Sequence, residues 1–380
     1  MSAEKADITN FFVKYYDSIQ KILDLLIVVI IINLKLFFKY SNFGGNRMGK
    51  WKKGLSILAL AGLLTLTLTA CGSGDDSAKE GGGNGDIYKV GISQYVNHPS
   101  LDAATKGFKK ALQDAGLDVE YDEQNAQGEP NNAKTAAQNL VNSGVDLIFA
   151  NATPSAQAAA GVTGDIPVVF TSVTDPVGAE LIESMEKPGR NVTGTTDMHP
   201  DAIPNTVKFI AEELDDVEIV GTIYNAGEQN SVKQVEEMKK AIESSGLTLV
   251  EKVVSNTSEV KQAADSLAGE VDAIYIITDN TVVSALESVV SVARQAKVPL
   301  FVGELDSVER GGFAAYGFDY FDIGYEAGQL AVQILKDGKA PADIPSQYPQ
   351  NLKLVINKTA AEEMDVELKP EWDDIAEYIE

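Results

Sequence analysis

The sequence is poor in the side chains that bind metals or perform nucleophilic catalysis. Its 380 residues include one cysteine, Cys71, and two histidines, His98 and His199, each followed by a proline. A single cysteine excludes an intramolecular disulfide framework, and so few histidines and cysteines leave no set with metal-ligand spacing. No serine stands in the glycine-flanked pattern of a nucleophile elbow. We therefore expect no metal, no cofactor and no catalytic residue.

Basic residues are also scarce. The chain has 31 Lys and Arg against 56 Asp and Glu, which gives a formal net charge of −25. Proteins that bind nucleic acids derive much of their affinity from basic side chains that neutralise phosphates. We therefore expect no nucleic-acid partner.

The single cysteine closes a segment that resembles the signal peptide of a bacterial lipoprotein. Met48–Lys53 is basic, Leu55–Leu68 is apolar, and Leu68-Thr69-Ala70-Cys71 resembles the lipobox, whose cysteine is acylated and becomes the first mature residue. We expect a signal peptide at 48–70, a lipid on Cys71 and a flexible Gly/Ser/Asp-rich tether at 71–86. This pattern predicts a location on the extracytoplasmic face of a bacterial cell membrane; the alternative is an ordinary buried cysteine.

Residues 1–47 do not fit a processed signal peptide, which should start near its own basic segment. We interpret them as upstream sequence translated in error, with Met48 as the true start. The alternative is an N-terminal membrane helix around Leu25–Ile32. That apolar run is shorter than the ~20 residues that a span requires.

From Ile87 onward, short apolar segments alternate with segments of helical period. The predicted strands are 89–93, 119–121, 146–150, 167–171, 219–224, 247–254, 273–277, 299–302 and 352–356, and the longer predicted helices include 101–115, 132–142, 231–245, 258–267, 282–296 and 320–335. Near-continuous apolar strands separated by helices indicate parallel sheets covered on both faces. The series occurs twice, which predicts an α/β fold of two doubly wound parallel-sheet lobes. We assign 87–194 plus 314–342 to lobe 1, and 195–313 plus 343–380 to lobe 2.

The predicted strand ends carry the candidate binding residues, because ligands of open parallel sheets lie beyond the carboxyl ends of the strands. In lobe 1 they are Ser93, Gln94, Tyr95, Thr153, Ser155, Thr174 and Asp175, and in lobe 2 they are Asn225, Asn230, Ser231, Asp279, Asn280, Glu304 and Asp306. Thr153, followed by Pro154, and Ser231, with Gln234 three residues on as a capping box, predict helix starts whose free N–H groups suit a carboxylate. Glu304 and Asp306 are candidates to bind an amine. The alternatives are ordinary capping and solvated acidic loops.

Several short segments resemble the tryptophan/tyrosine-type substrate-binding proteins of ABC transporters. They include Ser93-Gln94-Tyr95-Val96, Ala152-Thr153-Pro154-Ser155, Thr174-Asp175-Pro176-Val177-Gly178, Asn191-Val192-Thr193-Gly194 and Thr278-Asp279-Asn280. The resemblance covers about residues 88–358 and implies a type I periplasmic-binding fold with a three-strand hinge, near Val192–Thr196 and Ala314–Gly317. It also implies capture of a small solute, an aromatic L-amino acid in some members, for a permease and its ATPase. Glu304 stands where relatives often have aspartate.

Other functions remain open at this stage. The same fold serves nucleosides, vitamin precursors, sugars and ligand sensors, although sugar sites usually stack rings on tryptophan and the mature chain has only Trp372. An enzyme of α/β fold would need a reactive constellation at a strand end, and nothing in the sequence points to one.

Overall fold

The computed structural model describes residues 87–380. The extension 1–47, the predicted signal peptide 48–70, the lipidation site Cys71 and the tether 71–86 lie outside the described residues. Within 87–380, no helix is both long and apolar enough to cross a bilayer.

The first sheet has five parallel strands in the order β2-β1-β3-β4-β5. The strands are β1 Ile87–Gln94, β2 Asp118–Asn125, β3 Leu147–Asn151, β4 Val168–Val173 and β5 Val192–Thr196. The connecting helices are α1 Pro99–Asp114, α2 Pro130–Ser143 and α3 Thr153–Val162. β3, β4 and β5 are buried along their whole length, as a parallel sheet covered on both faces requires.

The second sheet has seven strands in the order β12-β11-β10-β9-β8-β6-β7. The strands are β6 Ile219–Asn225, β7 Thr248–Val254, β8 Ala273–Ile276, β9 Leu300–Val302, β10 Ala314–Gly317, β11 Lys353–Asn357 and β12 Ala376–Ile379. The helices after β5 are α4 Ala202–Glu213, α5 Gln229–Ser244, α6 Thr257–Leu267, α7 Asn280–Val283, α8 Leu286–Ala296, α9 Leu305–Glu309, α10 Tyr320–Leu335 and α11 Lys358–Glu363, with 3₁₀ turns at Pro341–Asp343 and Pro370–Asp374. Of these, α10 packs on the first sheet. Only the β10–β11 pairing is antiparallel. The predicted two-lobed α/β fold is confirmed.

The lobe boundaries differ from the sequence prediction in three places. β5 pairs with β4 through Thr196, so lobe 1 extends past residue 194. Ala314–Gly317 pairs with β9 and β11 and therefore belongs to lobe 2, although we had assigned 314–342 to lobe 1. Residues 344–347 contact lobe 1, since Ile344 lies in its core and Gln347 bridges Thr195. The chain thus crosses between lobes three times, after Thr196, Gly317 and Gln347.

One predicted helix is broken in the structure. Instead of a continuous helix over 282–296, α7 and α8 are separate, because the backbone leaves helical geometry at Ala285 (φ −119°, ψ 22°). The side chain of Asp279 caps the short α7 by accepting from the Val282 N–H. Asp279 and Asn280 lie a few residues after the end of β8 at Ile276.

Two glycines let α1 and α10 pack backbone against backbone in lobe 1. A Cβ at Gly324 of α10 would overlap the carbonyl oxygen of Ala104 in α1, and a Cβ at Gly107 of α1 would overlap the carbonyl oxygen of Phe321. Phe108 of α1 in turn stacks on Phe149 of β3, with ring centroids 3.9 Å apart. Such close packing resists rearrangement, so α1 and α10 form one rigid helix pair on the sheet.

We expect Gly324→Ala to lower the free energy of unfolding by about 1–3 kcal/mol, because the added methyl group forces the helix pair apart. Gly161→Ala is the matched control, since a Cβ at that exposed helical position meets nothing within 4 Å. The control should be neutral or more stable by up to about 1 kcal/mol. Urea unfolding measures both, and equal stabilities of the two variants would contradict the close-packing argument.

Candidate functional site

The carboxyl ends of the strands of both sheets border one cleft. Direct contacts between the two lobes close this cleft. Ser100 Oγ of lobe 1 donates to Glu304 Oε2 of lobe 2 at 2.8 Å. Gln234 Nε2 of lobe 2 donates to Thr174 Oγ1 of lobe 1 at 3.3 Å, and Lys233 Nζ lies 4.0 Å from Asp175 Oδ2. The polar strand ends predicted from sequence are therefore brought together.

Lobe 1 contributes a set of buried hydroxyl groups to the cleft end of its sheet. Within the described part of the chain, five such oxygens have no hydrogen-bond partner: those of Ser93, Thr153, Ser155, Ser172 and Thr196. We call these five residues the lobe 1 hydroxyls. Buried hydroxyls left unpaired carry a free-energy cost, so a clustered set of them indicates a surface made for a polar ligand.

Two of the lobe 1 hydroxyls lie at the N-terminus of α3. The helix begins at Thr153, as predicted, and Ala152 precedes it with φ 86°. The first N–H that bonds back along the helix is that of Ala156, which donates to Ala152 O. The N–H groups before it and the helix dipole favour an anion at this point. The arrangement suits a carboxylate.

Gln94 and Tyr95 are placed differently from one another. The Gln94 amide is saturated, because Nε2 donates to Val96 O and to the side chains of Asn97 and Asp102, while Oε1 accepts from Thr105. It supports the start of α1. Tyr95 is buried, and its hydroxyl donates to Gly128 O at 2.7 Å. Burial is the main cause that raises the Tyr95 pKa, so the phenol stays neutral.

In lobe 2 the predicted capping box at Ser231 is wrong. Helix α5 begins at Gln229, two residues earlier, so Ser231 lies inside its first turn. The Ser231 hydroxyl instead donates to Asp279 Oδ2 at 2.6 Å. Asp279 also accepts from the backbone N–H groups of Asn225 and Val282. Ser231 and Asp279 therefore tie the ends of β6 and β8 together.

Asn230 and Asn280 donate to a carboxylate that sequence reasoning missed, and Asn225 donates to the hydroxyl of Thr281, another of its donors. Glu228 is buried and accepts from the Asn280 and Asn230 amides and from the N–H and hydroxyl of Thr281. Burial, with a smaller contribution from Asp279, raises its pKa to about 7 despite these donors. In the sequence Glu228 is one more acid in an acidic loop, and no local pattern distinguishes it.

Glu304 is buried, whereas Asp306 is partly exposed. Glu304 Oε2 accepts from Ser100 and from Ser307 Oγ at 3.0 Å, so one donor comes from each lobe. Burial raises its pKa to about 7, and burial likewise raises the pKa of Asp306. The cleft thus holds Glu304 in a lobe-to-lobe hydrogen bond.

A second buried carboxylate missed from sequence, Asp197, lies just after β5 at the first crossing between lobes. Its Oδ1 accepts from Thr174 Oγ1 and its Oδ2 accepts from the Tyr320 hydroxyl, each at 2.9 Å. Burial raises its pKa to about 6. Asp175, in contrast, lies at the rim, where it accepts from the Gly178 N–H.

The cleft region is acidic and has no buried cation to balance it. Asp197, Glu228, Asp279 and Glu304 are all buried, whereas no Lys or Arg between residues 87 and 380 is. The positive charge of Arg310 lowers the pKa of Glu304. Arg310 itself forms an ion pair with Glu287 at 2.9 Å. Over the same residues, no cluster of His, Cys, Asp and Glu is arranged to hold a metal ion. The chemistry of the cleft suits a ligand that supplies its own positive charge.

Comparisons with known proteins agree with this architecture. A family model described as ABC transporter substrate binding protein matches residues 89–376. A tyrosine-binding protein of Clostridioides difficile is 41% identical over 329 residues, which cover 84% of this chain and 94% of that protein. The chain belongs to the ABC transporter substrate-binding protein family, whose members bind solutes for transport.

Two solved structures of similar sequence identity differ in how well they match. An ABC domain from Streptococcus pneumonia in complex with L-Trp gives a TM-score of 0.74 at 36% identity, covering 78% of this chain and 100% of that one. A ligand-free, open substrate-binding protein from Clostridium difficile gives 0.59 at 35% identity, covering 77% and 99%.

Glu228 should make the protein less stable as the pH rises. Its pKa is about 7 in the folded protein and about 4.3 in an unfolded chain, so the folded state binds more protons between these values. Its contribution is complete below pH ~4 and is lost as the pH rises through about 7. Relative to Glu228→Gln, we expect the wild-type free energy of unfolding to fall by about 2 kcal/mol between pH 5 and pH 8.

Urea unfolding across that pH range measures this difference, and the control is Glu129→Gln, which alters an exposed carboxylate at the cleft mouth. The control should follow the wild-type pH dependence. Parallel pH profiles for wild type and Glu228→Gln would contradict the assignment.

Proposed function

We propose that this ABC substrate-binding protein captures an aromatic L-amino acid between its lobes and delivers it to a membrane permease driven by an ATPase. The observation that carries the proposal is the chemistry of the cleft. Hydroxyls around a helix N-terminus face a buried acidic region, a pairing that matches a zwitterion. The tyrosine-binding relative at 41% identity and the L-Trp complex at 36% support an aromatic side chain.

The α-carboxylate is proposed to lie at the start of α3. Thr153 and Ser155 supply two hydroxyls there, and the helix dipole adds favourable electrostatics. Ser93, Ser172 and Thr196 stand at the ends of the neighbouring strands and are the further donors of this wall. A charge-assisted hydrogen bond from each of two hydroxyls stabilises a carboxylate more than neutral pairs would.

For the α-ammonium group, Asp197 is a better partner than the predicted Glu304 or Asp306. Each Asp197 oxygen accepts only one neutral hydroxyl, and a carboxylate has about four acceptor positions in all. Glu304 already joins the two lobes through Oε2, and Asp306 is partly exposed. A bound ammonium would also favour the ionised form of Asp197 by lowering its pKa.

The aromatic side chain is proposed to extend toward Tyr95 and the mouth of the cleft. The mouth is a cavity of about 370 Å³ lined by both lobes, with Tyr95, Gly128, Glu228 and Asn280 among its residues. The hydrogen bond from the Tyr95 hydroxyl to Gly128 fixes the orientation of its ring. An aromatic wall of fixed orientation suits offset or edge packing with a ligand ring.

Contacts from both lobes make the ligand a stabiliser of the closed state. A solute that touches Thr153 of one lobe and the α5 region of the other binds the closed form better than the open form, and so shifts the population toward it. The permease can then distinguish the ligand-bound protein by its closed conformation. The proposed anchor at Cys71 keeps that protein beside the transporter.

We expect L-tyrosine, L-tryptophan or L-phenylalanine to raise the melting temperature of the purified protein. Saturation at 100 times Kd should add about 2.7 kcal/mol to its stability. Asp197→Asn should weaken binding about 10- to 100-fold, because the ammonium loses a charged partner. Asp118→Asn, at an exposed strand start, is the control and should bind like wild type. Absence of a shift with all three amino acids would overturn the ligand assignment.

The lipid anchor predicts a defined mature N-terminus. Expressed in a bacterial host, the protein should partition into detergent and show, by mass spectrometry, a diacylglycerol-modified Cys71 as its first residue. Cys71→Ser should remain unmodified and unprocessed at this site. A mature protein that keeps residues 48–70, or lacks lipid on Cys71, would contradict the signal-peptide interpretation.

A further inference from the structure

We propose that the first turn of α1, His98–Ser100, fastens lobe 1 to lobe 2 by donating a hydrogen bond from Ser100 to Glu304, and that both residues position the closed cleft rather than contact the solute. The inference does not depend on which solute the cleft takes. It gives Glu304 a different role from the amine contact expected from sequence.

The geometry of Glu304 Oε2 is that of a shared acceptor. It accepts Ser100 Oγ from lobe 1 at 2.8 Å and Ser307 Oγ from lobe 2 at 3.0 Å. Ser100 is 0% exposed and Glu304 is 2% exposed, so water does not compete for this bond in the closed form. Opening the cleft breaks the Ser100 bond only, because Ser307 moves with Glu304.

The helix end strengthens the contact. Ser100 is the second residue of α1, a helix of 16 residues, and follows Pro99 at its first position. The N-terminal turn of such a helix carries a partial positive charge that favours a nearby carboxylate. The Glu304 carboxylate is thus stabilised by a hydroxyl and by a helix dipole from the opposite lobe.

The same turn makes a second contact with lobe 2 through His98. The imidazole is buried close to the Asn280 side chain, which raises its pKa, and over residues 87–380 its Nδ1 has no hydrogen-bond partner. Asp102, Asp306 and Arg310 are the charged groups around it, and burial lowers its pKa to about 4. His98 therefore enters the contact as a neutral ring.

The hydrogen bond from Ser100 to Glu304 is made by a rigid helix rather than by a loop. Gly107 and Gly324 hold α1 directly against α10, and Phe108 stacks on β3. Any force at Ser100 is therefore carried into the body of lobe 1. The bond stabilises the closed arrangement itself, and so it should slow release of the solute more than it speeds capture.

The test compares Ser100→Ala with Ser307→Ala, which removes the other donor to the same oxygen without touching lobe 1. In stopped-flow measurements with L-tyrosine, Ser100→Ala should raise the dissociation rate about 5- to 10-fold, with the association rate within about twofold of wild type. Ser307→Ala should change the dissociation rate less. Glu304→Gln, which keeps an acceptor, should retain more of the wild-type behaviour than Glu304→Met, and Ser100→Ala should have no added effect in the Glu304→Met background.

A solute-independent readout separates this proposal from the proposed function. Small-angle scattering of the full protein without added amino acid should give a larger radius of gyration for Ser100→Ala than for Ser307→Ala. If no aromatic amino acid binds but this difference is found, the ligand assignment is wrong and the proposed role of the Ser100–Glu304 bond is supported. If Ser100→Ala and Ser307→Ala have equal radii of gyration, and either equal dissociation rates or no binding, the proposed role of the Ser100–Glu304 bond is wrong. An unchanged Ser100→Ala beside equally impaired Glu304→Gln and Glu304→Met would assign Glu304 to the solute instead.

Discussion

Buried polar groups must be paired, and at the cleft of this protein neither lobe can pair all of its own. The parallel strands of both sheets end in hydroxyl, amide and carboxylate side chains that closure removes from water. Some find partners across the cleft, as Ser100 does with Glu304. Others, such as Thr153 and Ser155, have no hydrogen-bond partner among the described residues, and the proposed solute would supply one. Lobe closure and solute binding therefore follow from one requirement.

The four buried carboxylates of the cleft meet this requirement in different ways. Asp279 is saturated by groups of its own lobe and so organises the strand ends of lobe 2. Glu228 is likewise held within lobe 2, by Asn230, Asn280 and Thr281. Glu304 accepts one donor from each lobe on a single oxygen, Oε2, whereas each oxygen of Asp197 accepts one hydroxyl. The four carboxylates are similarly buried, but they differ in which hydrogen-bond donors surround them.

The sequence predicted the fold well, because strand and helix periodicity are local properties of the chain. The two lobes and most strands follow directly from apolar segments such as Leu147–Asn151. The lobe assignment of Ala314–Gly317 could not be read in this way, since it depends on which neighbours a strand pairs with. The break between α7 and α8 also escaped prediction, because the apolar period continues through Ala285.

The binding residues were predictable by position but not by role. Polar residues at strand ends located the cleft, and all fourteen candidates lie at the ends of strands or beside them. Whether such a residue faces a solute or supports the scaffold depends on long-range contacts, as Ser231 shows by bonding Asp279 across 48 residues instead of capping its own helix. Asp197 and Glu228 were overlooked because acidic loop residues are usually solvated. Only burial against distant elements distinguishes them.

The helix pair α1–α10 connects the proposed solute site to the lobe contact. Tyr320, the first residue of α10, donates to Asp197, and Ser100, at the start of α1, donates to Glu304. Gly107 and Gly324 remove the space in which the two helices could slide past each other. The hydrogen bonds to Asp197 and to Glu304 are thus both donated from one helix pair. Because a closely packed interface moves as a unit, the two bonds share one rigid support.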